Sequence, residues 1–180
     1  MTTATTSTTK QERQGATTFK GTPLTLVGPE LKPGMRAPSF QAAGQNASTV
    51  ALSNFAGKPL LISAVHSLDT GVCDAQTRRF NEEAAKLPGV QILTISMDLP
   101  FAQKRWCGAA GVNNITVASD HKDASFGQAF GTLIKELRLL ARAIFVIDAA
   151  GTVRYVEYVP EVASHPNYDA ALAAVKQITT

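Results

Sequence analysis

The sequence predicts an α/β domain: a central mixed sheet with flanking helices and an N-terminal β-hairpin. Three observations predict it. From Pro59 onward, apolar runs of strand length alternate with amphipathic helical patterns, as in sheets whose strands are covered on both faces. Residues 141–148 (ARAIFVID) and 152–159 (TVRYVEYV) are two strand-like runs joined by the short turn Ala149, Ala150, Gly151, which makes them an antiparallel pair. Residues 17–27 alternate in polarity around Gly21, Thr22 and Pro23, the pattern of a small hairpin ahead of the main sheet.

Length and composition fit one domain over residues 17–180. With 180 residues, 44% hydrophobic and 17% charged, the chain is long enough for a sizeable core and ordinary in composition. The net charge of +3 comes from scattered Lys and Arg, without the basic stripe that nucleic acid or an anionic membrane requires. No apolar run approaches the roughly 20 residues of a membrane span. Residues 1–16 are Thr-rich with no apolar core, so a disordered tail is expected rather than a secretory signal. An organelle-targeting role for that tail stays open, with a cytoplasmic location the expectation. The two cysteines, Cys73 and Cys107, lie 34 positions apart. They are too few for a disulfide scaffold, and their spacing fits neither a CxxC redox pair nor a zinc site, so a reducing compartment is expected.

After the hairpin, residues 31–40 (LKPGMRAPSF) are rich in turn formers and are expected to cross the surface. A short strand at 49–52 and a turn at 53–57 follow, and residues 60–65 (LLISAV) are apolar enough to be a buried strand. In the next helix Cys73, Thr77, Phe80, Ala84 and Leu87 recur every three or four residues and share the inward face. Arg78, Arg79, Glu82, Glu83 and Lys86 are left mostly to solvent. Residues 89–96 (GVQILTIS) form the second core strand. A helix then starts with Asp98 as its N-cap and Pro100 in its first turn, which places Cys107 late in that helix. A weaker strand at 115–118, a short helix at 124–130, the antiparallel pair and an Ala-rich amphipathic helix at 167–178 complete the chain.

The chemistry concentrates where the strand at 60–65 runs through a polar turn into a helix. Cys73 lies in that helix's first turn, where unsatisfied N–H groups and the positive end of the macrodipole favour a thiolate. It is the candidate nucleophile. With Thr70 as N-cap, the hydroxyl oxygen is expected to accept the N–H of Cys73 and lie beside the sulfur. Arg142 sits at the start of an apolar strand, where a permanent charge is costly unless it meets an anion. A thiolate is one such anion, and a snorkelling surface position is the other reading. Cys107 reads either as a second reactive thiol or as a small buried hydrophobe. His121 and His165 lie in loop-like segments without a paired ligand and are expected at the surface.

This order of elements, with a thiol at the first strand-to-helix junction and a terminal hairpin plus helix, resembles the thioredoxin-like three-layer sandwich. Residues 67–73 (SLDTGVC), 95–107 (ISMDLPFAQKRWC), 141–148 (ARAIFVID) and 166–172 (PNYDAAL) are together similar to segments of the bacterial thiol peroxidases, the atypical two-cysteine branch of the peroxiredoxins. The similarity runs from about Thr17 to the C-terminus. The resemblance implies that Cys73 matches the peroxidatic cysteine, which forms a sulfenic acid, and Cys107 the resolving cysteine, which joins it in an intramolecular disulfide. Thr70 and Arg142 match the remaining polar members of the family's site. Further implications are hydrogen peroxide and organic hydroperoxides as substrates, thioredoxin as reductant, a homodimer, and neither a metal nor another cofactor. A disulfide needs Cα atoms within about 7 Å, so a fold that holds the two cysteines farther apart has to unwind locally to join them.

His66 departs from the resemblance, because the family has proline seven residues before the cysteine, where it shapes the pocket and shields the sulfur. Pocket geometry, substrate range and resistance to overoxidation are therefore where this chain is expected to differ. A protonated His66 stabilises a thiolate, a neutral one takes up its proton, and a tolerated loop substitution is the third reading. Two other functions compete with a peroxidase. A thiol–disulfide oxidoreductase normally has a second cysteine in the turn, and residues 74–76 supply none. A non-enzymatic redox sensor that relays oxidation to a partner protein uses the same thiol, and sustained turnover with peroxide separates it from an enzyme.

Overall fold

The computed structural model describes residues 10–179. The chain opens with β1 (Glu12–Phe19) and β2 (Thr22–Val27), antiparallel across Lys20 and Gly21. The hairpin thus begins ahead of the expected Thr17, because Glu12 pairs with Val27 and Arg13 with Leu26. Arg13 also donates to the carbonyls of Gly28 and Gly131 and lies 4.9 Å over the Tyr158 ring. These contacts correct the disorder expected up to residue 16; the part of that tail at residues 1–9 lies outside the described residues.

The remaining elements are β3 (Gln41–Gly44), β4 (Thr49–Ala51), a 3-10 turn (Leu52–Phe55), β5 (Leu60–Ala64), α1 (Gly71–Ala84), β6 (Gln91–Ser96) and α2 (Pro100–Ala110). They continue with β7 (Thr116–Ser119), α3 (Ser125–Ala129), β8 (Leu133–Ile134), β9 (Leu139–Leu140), β10 (Ala143–Ile147), β11 (Val153–Tyr158) and α4 (Tyr168–Thr179). The main sheet has seven strands in the order β11-β10-β5-β6-β7-β3-β4. Its centre, β5-β6-β7, is parallel, and β10, β11, β3 and β4 join antiparallel. A second sheet, β1-β2-β8-β9, takes up the N-terminal hairpin. Strands β3, β8 and β9 carry no sequence signal: they are two to four residues long and exist through their distant partners.

Alternation along the strands separates two apolar layers. Leu61, Ile92, Ile144 and Val146 pack against Phe80 of α1 and Ala171 and Val175 of α4. On the other face Leu60, Ile62, Leu93, Ile95 and Phe145 meet Phe40, Phe126 and Phe130. Full burial of an aromatic ring of this kind contributes about 1.5–3 kcal/mol. Residues 31–40, expected to cross the surface, instead bury Leu31, Ala37 and Phe40. The Phe40 ring meets Phe126 and Phe130 edge-on at 5.3 and 5.8 Å, which closes that layer. The result is the three-layer, thioredoxin-like arrangement.

The same alternation aims the polar residues. Ser63 follows Leu61 onto the α1 face of β5, and Ile144 lies opposite Ser63 in register. Arg142, two positions before Ile144, falls on that face too, at the level where α1 begins. Among the described residues no helix is long and apolar enough to cross a membrane.

Candidate active site

The turn between β5 and α1 is held from below. The carboxylate of Asp98 accepts the Ser67 hydroxyl at 2.7 Å, the Leu68 N–H at 2.8 Å and the Ser96 hydroxyl at 2.7 Å. Asp98 is therefore not the N-cap of α2; Leu99 holds that position without a side-chain cap, because three donors gathered from β6 and the turn engage the carboxylate instead. Thr70 is the N-cap of α1, in extended backbone conformation, but the expected capping bond to the Cys73 N–H is absent. Its hydroxyl donates to the Ser67 carbonyl at 2.9 Å, and its Oγ1 lies 3.0 Å from His66 Nε2.

Cys73 occupies the third helical position, wholly buried. Its Sγ is 3.3 Å from Arg142 Nη2, 3.4 Å from His66 Nδ1 and 3.8 Å from His66 Nε2. Arg142 is 0% exposed, which removes the snorkelling reading. Its other N–H groups donate to the Val162 carbonyl (Nε, 3.0 Å) and to Gln76 Oε1 (Nη1, 2.6 Å), while Gln76 Nε2 donates to Ser63 Oγ at 2.7 Å. Burial pushes the Cys73 thiol up, and the hydrogen bond from His66 and the charge of Arg142, with a smaller part from Thr70, outweigh it and bring the pKa down to about 6. Gln76 escaped the sequence reading. Its position three residues after Cys73, on the inward face of α1, was the available signal. The Val162 carbonyl has none.

Cys107 lies in the last turn of α2, buried, with Gln45 Nε2 donating to its Sγ at 3.2 Å. Burial raises its pKa, and the Gln45 amide offsets only part of that. Both cysteines are free thiols and share an apolar cluster with Val65, Leu68, Trp106, Val112 and Val117. A polar link ties the two helices beside them. Trp106 Nε1 donates to Asp74 Oδ1 at 3.1 Å, Arg78 pairs with Asp74 at 2.8 Å, and Arg78 Nη1 donates to the Ala110 carbonyl at 3.0 Å. His165 is exposed beside Tyr168, whereas His121 is half-buried, with Nδ1 2.9 Å from Ser119 Oγ. Among the described residues no group of three or more His, Cys, Asp and Glu side chains is placed to hold a metal ion.

The chain is similar to known proteins along most of its length. A family model described as Redoxin matches residues 32–172. The thiol peroxidase of Halalkalibacterium halodurans is 58% identical over 159 residues, covering 88% of this chain and 96% of the relative. That of Bacillus subtilis is 56% identical over 161 residues, covering 89% and 96%. The crystal structure of a peroxiredoxin-like protein from Aquifex aeolicus aligns with a TM-score of 0.86 at 41% identity, covering 92% of this chain and 99% of that one.

Proposed function

The chain belongs to the Redoxin family and is a thiol-dependent peroxidase, and from that premise we propose how its residues divide the chemistry. Cys73 attacks the peroxide, Cys107 resolves the product, and Arg142 and Thr70 orient the reacting groups. The observation that carries this reading is the buried Arg142. Two of its three hydrogen-bonded acceptors, the Val162 carbonyl and the Gln76 amide, are neutral, and the third is the Cys73 sulfur. An unpaired buried cation costs several kcal/mol, so the arrangement favours sulfur as the anion.

With a pKa of about 6, Cys73 is about nine-tenths ionised at pH 7, against a few per cent for a free thiol, which is worth about 30-fold in reactive species. Larger acceleration comes from fixed donors that hold the peroxide in line and stabilise the departing oxygen. The thiolate donates its electron pair to one peroxide oxygen. The S–O bond forms as the O–O bond breaks, sulfur is oxidised to a sulfenic acid, and the other oxygen leaves as water or an alcohol. Cys107 then attacks that sulfur, water leaves, and the Cys73–Cys107 disulfide forms. A thioredoxin dithiol reduces it and restores both thiols. Hydrogen peroxide and organic hydroperoxides are the substrates, and the working form is a cytoplasmic homodimer.

A coupled assay with thioredoxin, its reductase, NADPH and several hydroperoxides tests this. Sustained NADPH consumption is expected, with an intramolecular Cys73–Cys107 bridge in the mass spectrum of peroxide-treated protein. Stoichiometric oxidation without turnover would point to the redox sensor, and absence of the bridge would remove Cys107 from its role.

A further inference from the structure

We infer that His66 is the acid–base partner of Cys73: it takes the thiol proton to create the thiolate and hands the same proton to the oxygen that leaves the peroxide. The inference rests on the peroxidase reading of Cys73 and adds a catalytic residue to it.

Three observations carry it. First, of the side chains within hydrogen-bond distance of the Cys73 sulfur, Arg142 is permanently charged and accepts no proton, which leaves His66 as the base. Second, the bonds around Thr70 are satisfied when Nε2 carries a proton. Nε2–H donates to Thr70 Oγ1 at 3.0 Å, the Thr70 hydroxyl donates to the Ser67 carbonyl at 2.9 Å, and the sulfur stands 3.4 Å from Nδ1 and 3.8 Å from Nε2, on the Cε1 side of the ring. Thr70 in this chain holds the ring rather than capping the helix. When the ring is neutral the Nε2 proton stays with Thr70, so Nδ1 is the atom that gains and loses a proton. Third, Cys73 is 0% exposed and His66 9%, so a proton released by the sulfur has an immediate acceptor in the imidazole and no direct one in bulk water. The titratable and charged groups around the turn include Cys73 of α1, Arg142 before β10, Asp98 after β6, which holds Ser67 and Leu68, Asp69 of the turn itself, which pairs with Arg105 of α2 at 3.7 Å, and Tyr168 of α4, whose hydroxyl is kept protonated chiefly by burial.

The step balances without an outside proton. The S–H proton moves to Nδ1 and the thiolate attacks the terminal peroxide oxygen, which keeps its hydrogen and becomes the sulfenic hydroxyl. The O–O bond breaks, the electron pair goes to the departing oxygen, and Nδ1–H protonates it to water or an alcohol. The imidazole is neutral again at the end. General acid–base transfer of this kind is worth about 10²- to 10⁴-fold.

The test compares wild type with His66→Gln, which keeps polar reach but does not titrate, by the second-order rate of Cys73 oxidation from pH 5 to 9. Two oxidants are used: hydrogen peroxide, whose leaving hydroxide needs a proton, and peracetic acid, whose leaving carboxylate does not. The fraction of thiolate cancels in the ratio of the two rates. His66→Gln is expected to slow reaction with hydrogen peroxide at pH 7 by about 100-fold, and to lower the hydrogen peroxide to peracetic acid ratio by at least about tenfold. Nitrogen-15 NMR of the wild-type ring gives a readout that needs no variant: Nδ1 is expected to gain its proton as the Cys73 thiolate forms. An unchanged ratio in an active enzyme, or a ring that keeps Nδ1 unprotonated throughout, overturns the inference alone. A wild-type Cys73 that peroxide does not oxidise overturns it together with the peroxidase reading.

Discussion

Cys73 and Cys107 are both buried and share one apolar cluster, yet their sulfurs meet opposite surroundings. Burial alone pushes either thiol towards the protonated form. At Cys73 a guanidinium and an imidazole reverse that push; at Cys107 a single neutral amide from Gln45 does not. The difference teaches that desolvation sets the stakes and the donors decide the sign. One reactive and one quiescent thiol suit a cycle in which the first is oxidised by peroxide and the second waits for the sulfenic acid.

The strongest way to break the contrast is to remove its charge. Arg142→Met is expected to slow peroxide reduction by about 10²- to 10³-fold and to move the Cys73 titration up towards an ordinary thiol. A normal steady-state rate in a folded variant would exclude Arg142 from the mechanism. Titration of each thiol alone sharpens the comparison next. In Cys107→Ser, thiolate absorbance is expected to rise with a midpoint near pH 6; in Cys73→Ser it is expected only above the normal thiol range. Because ionisation creates the nucleophile, the peroxidase rate falls as pH drops through about 6 and flattens above it. Coincident titrations of the two variants would dissolve the distinction.

Smaller effects probe the supports. Gln76→Leu leaves an Arg142 N–H and the Ser63 hydroxyl without their partner. We expect about 1–3 kcal/mol of lost stability in denaturant unfolding and a slower reaction with peroxide, since Arg142 is then free to tilt away from the sulfur. Asp74→Asn weakens the link between α1 and α2 at Trp106 and Arg78. Exposed pairs of this kind are worth about 0.5 kcal/mol, so bridge formation followed by mass spectrometry is expected to quicken about twofold, with little change in stability.

Local signals carried much of this architecture. The continuous apolar run at 60–65 marked a central strand because both its faces are covered, and the spacing from Cys73 to Phe80 marked the inward face of α1. Arg142 stood out as a charge at the start of an apolar strand, and the structure decided between its two readings by burying it. What escaped the sequence depends on partners brought from far along the chain. Gln76 matters because Arg142 arrives opposite it, Gln45 because the loop after β3 reaches Cys107 of α2, and Asp98 because Ser67 and Leu68 of the turn and Ser96 of β6 bring their donors to its carboxylate. The Thr70 cap failed for a related reason: its hydroxyl turns to the Ser67 carbonyl and the His66 ring, which leaves the Cys73 N–H without it.

The link between α1 and α2 has one more consequence. Trp106 is the chain's single tryptophan. It sits one residue before Cys107, and its indole is hydrogen-bonded to Asp74, one residue after Cys73. A carboxylate beside an indole alters its emission, and in the proposed cycle that pair is expected to separate as the helix ends shift to join the sulfurs. The proposed cycle would therefore carry its own unlabelled optical reporter, with the intensity of one fluorophore expected to follow each oxidation and each reduction in real time.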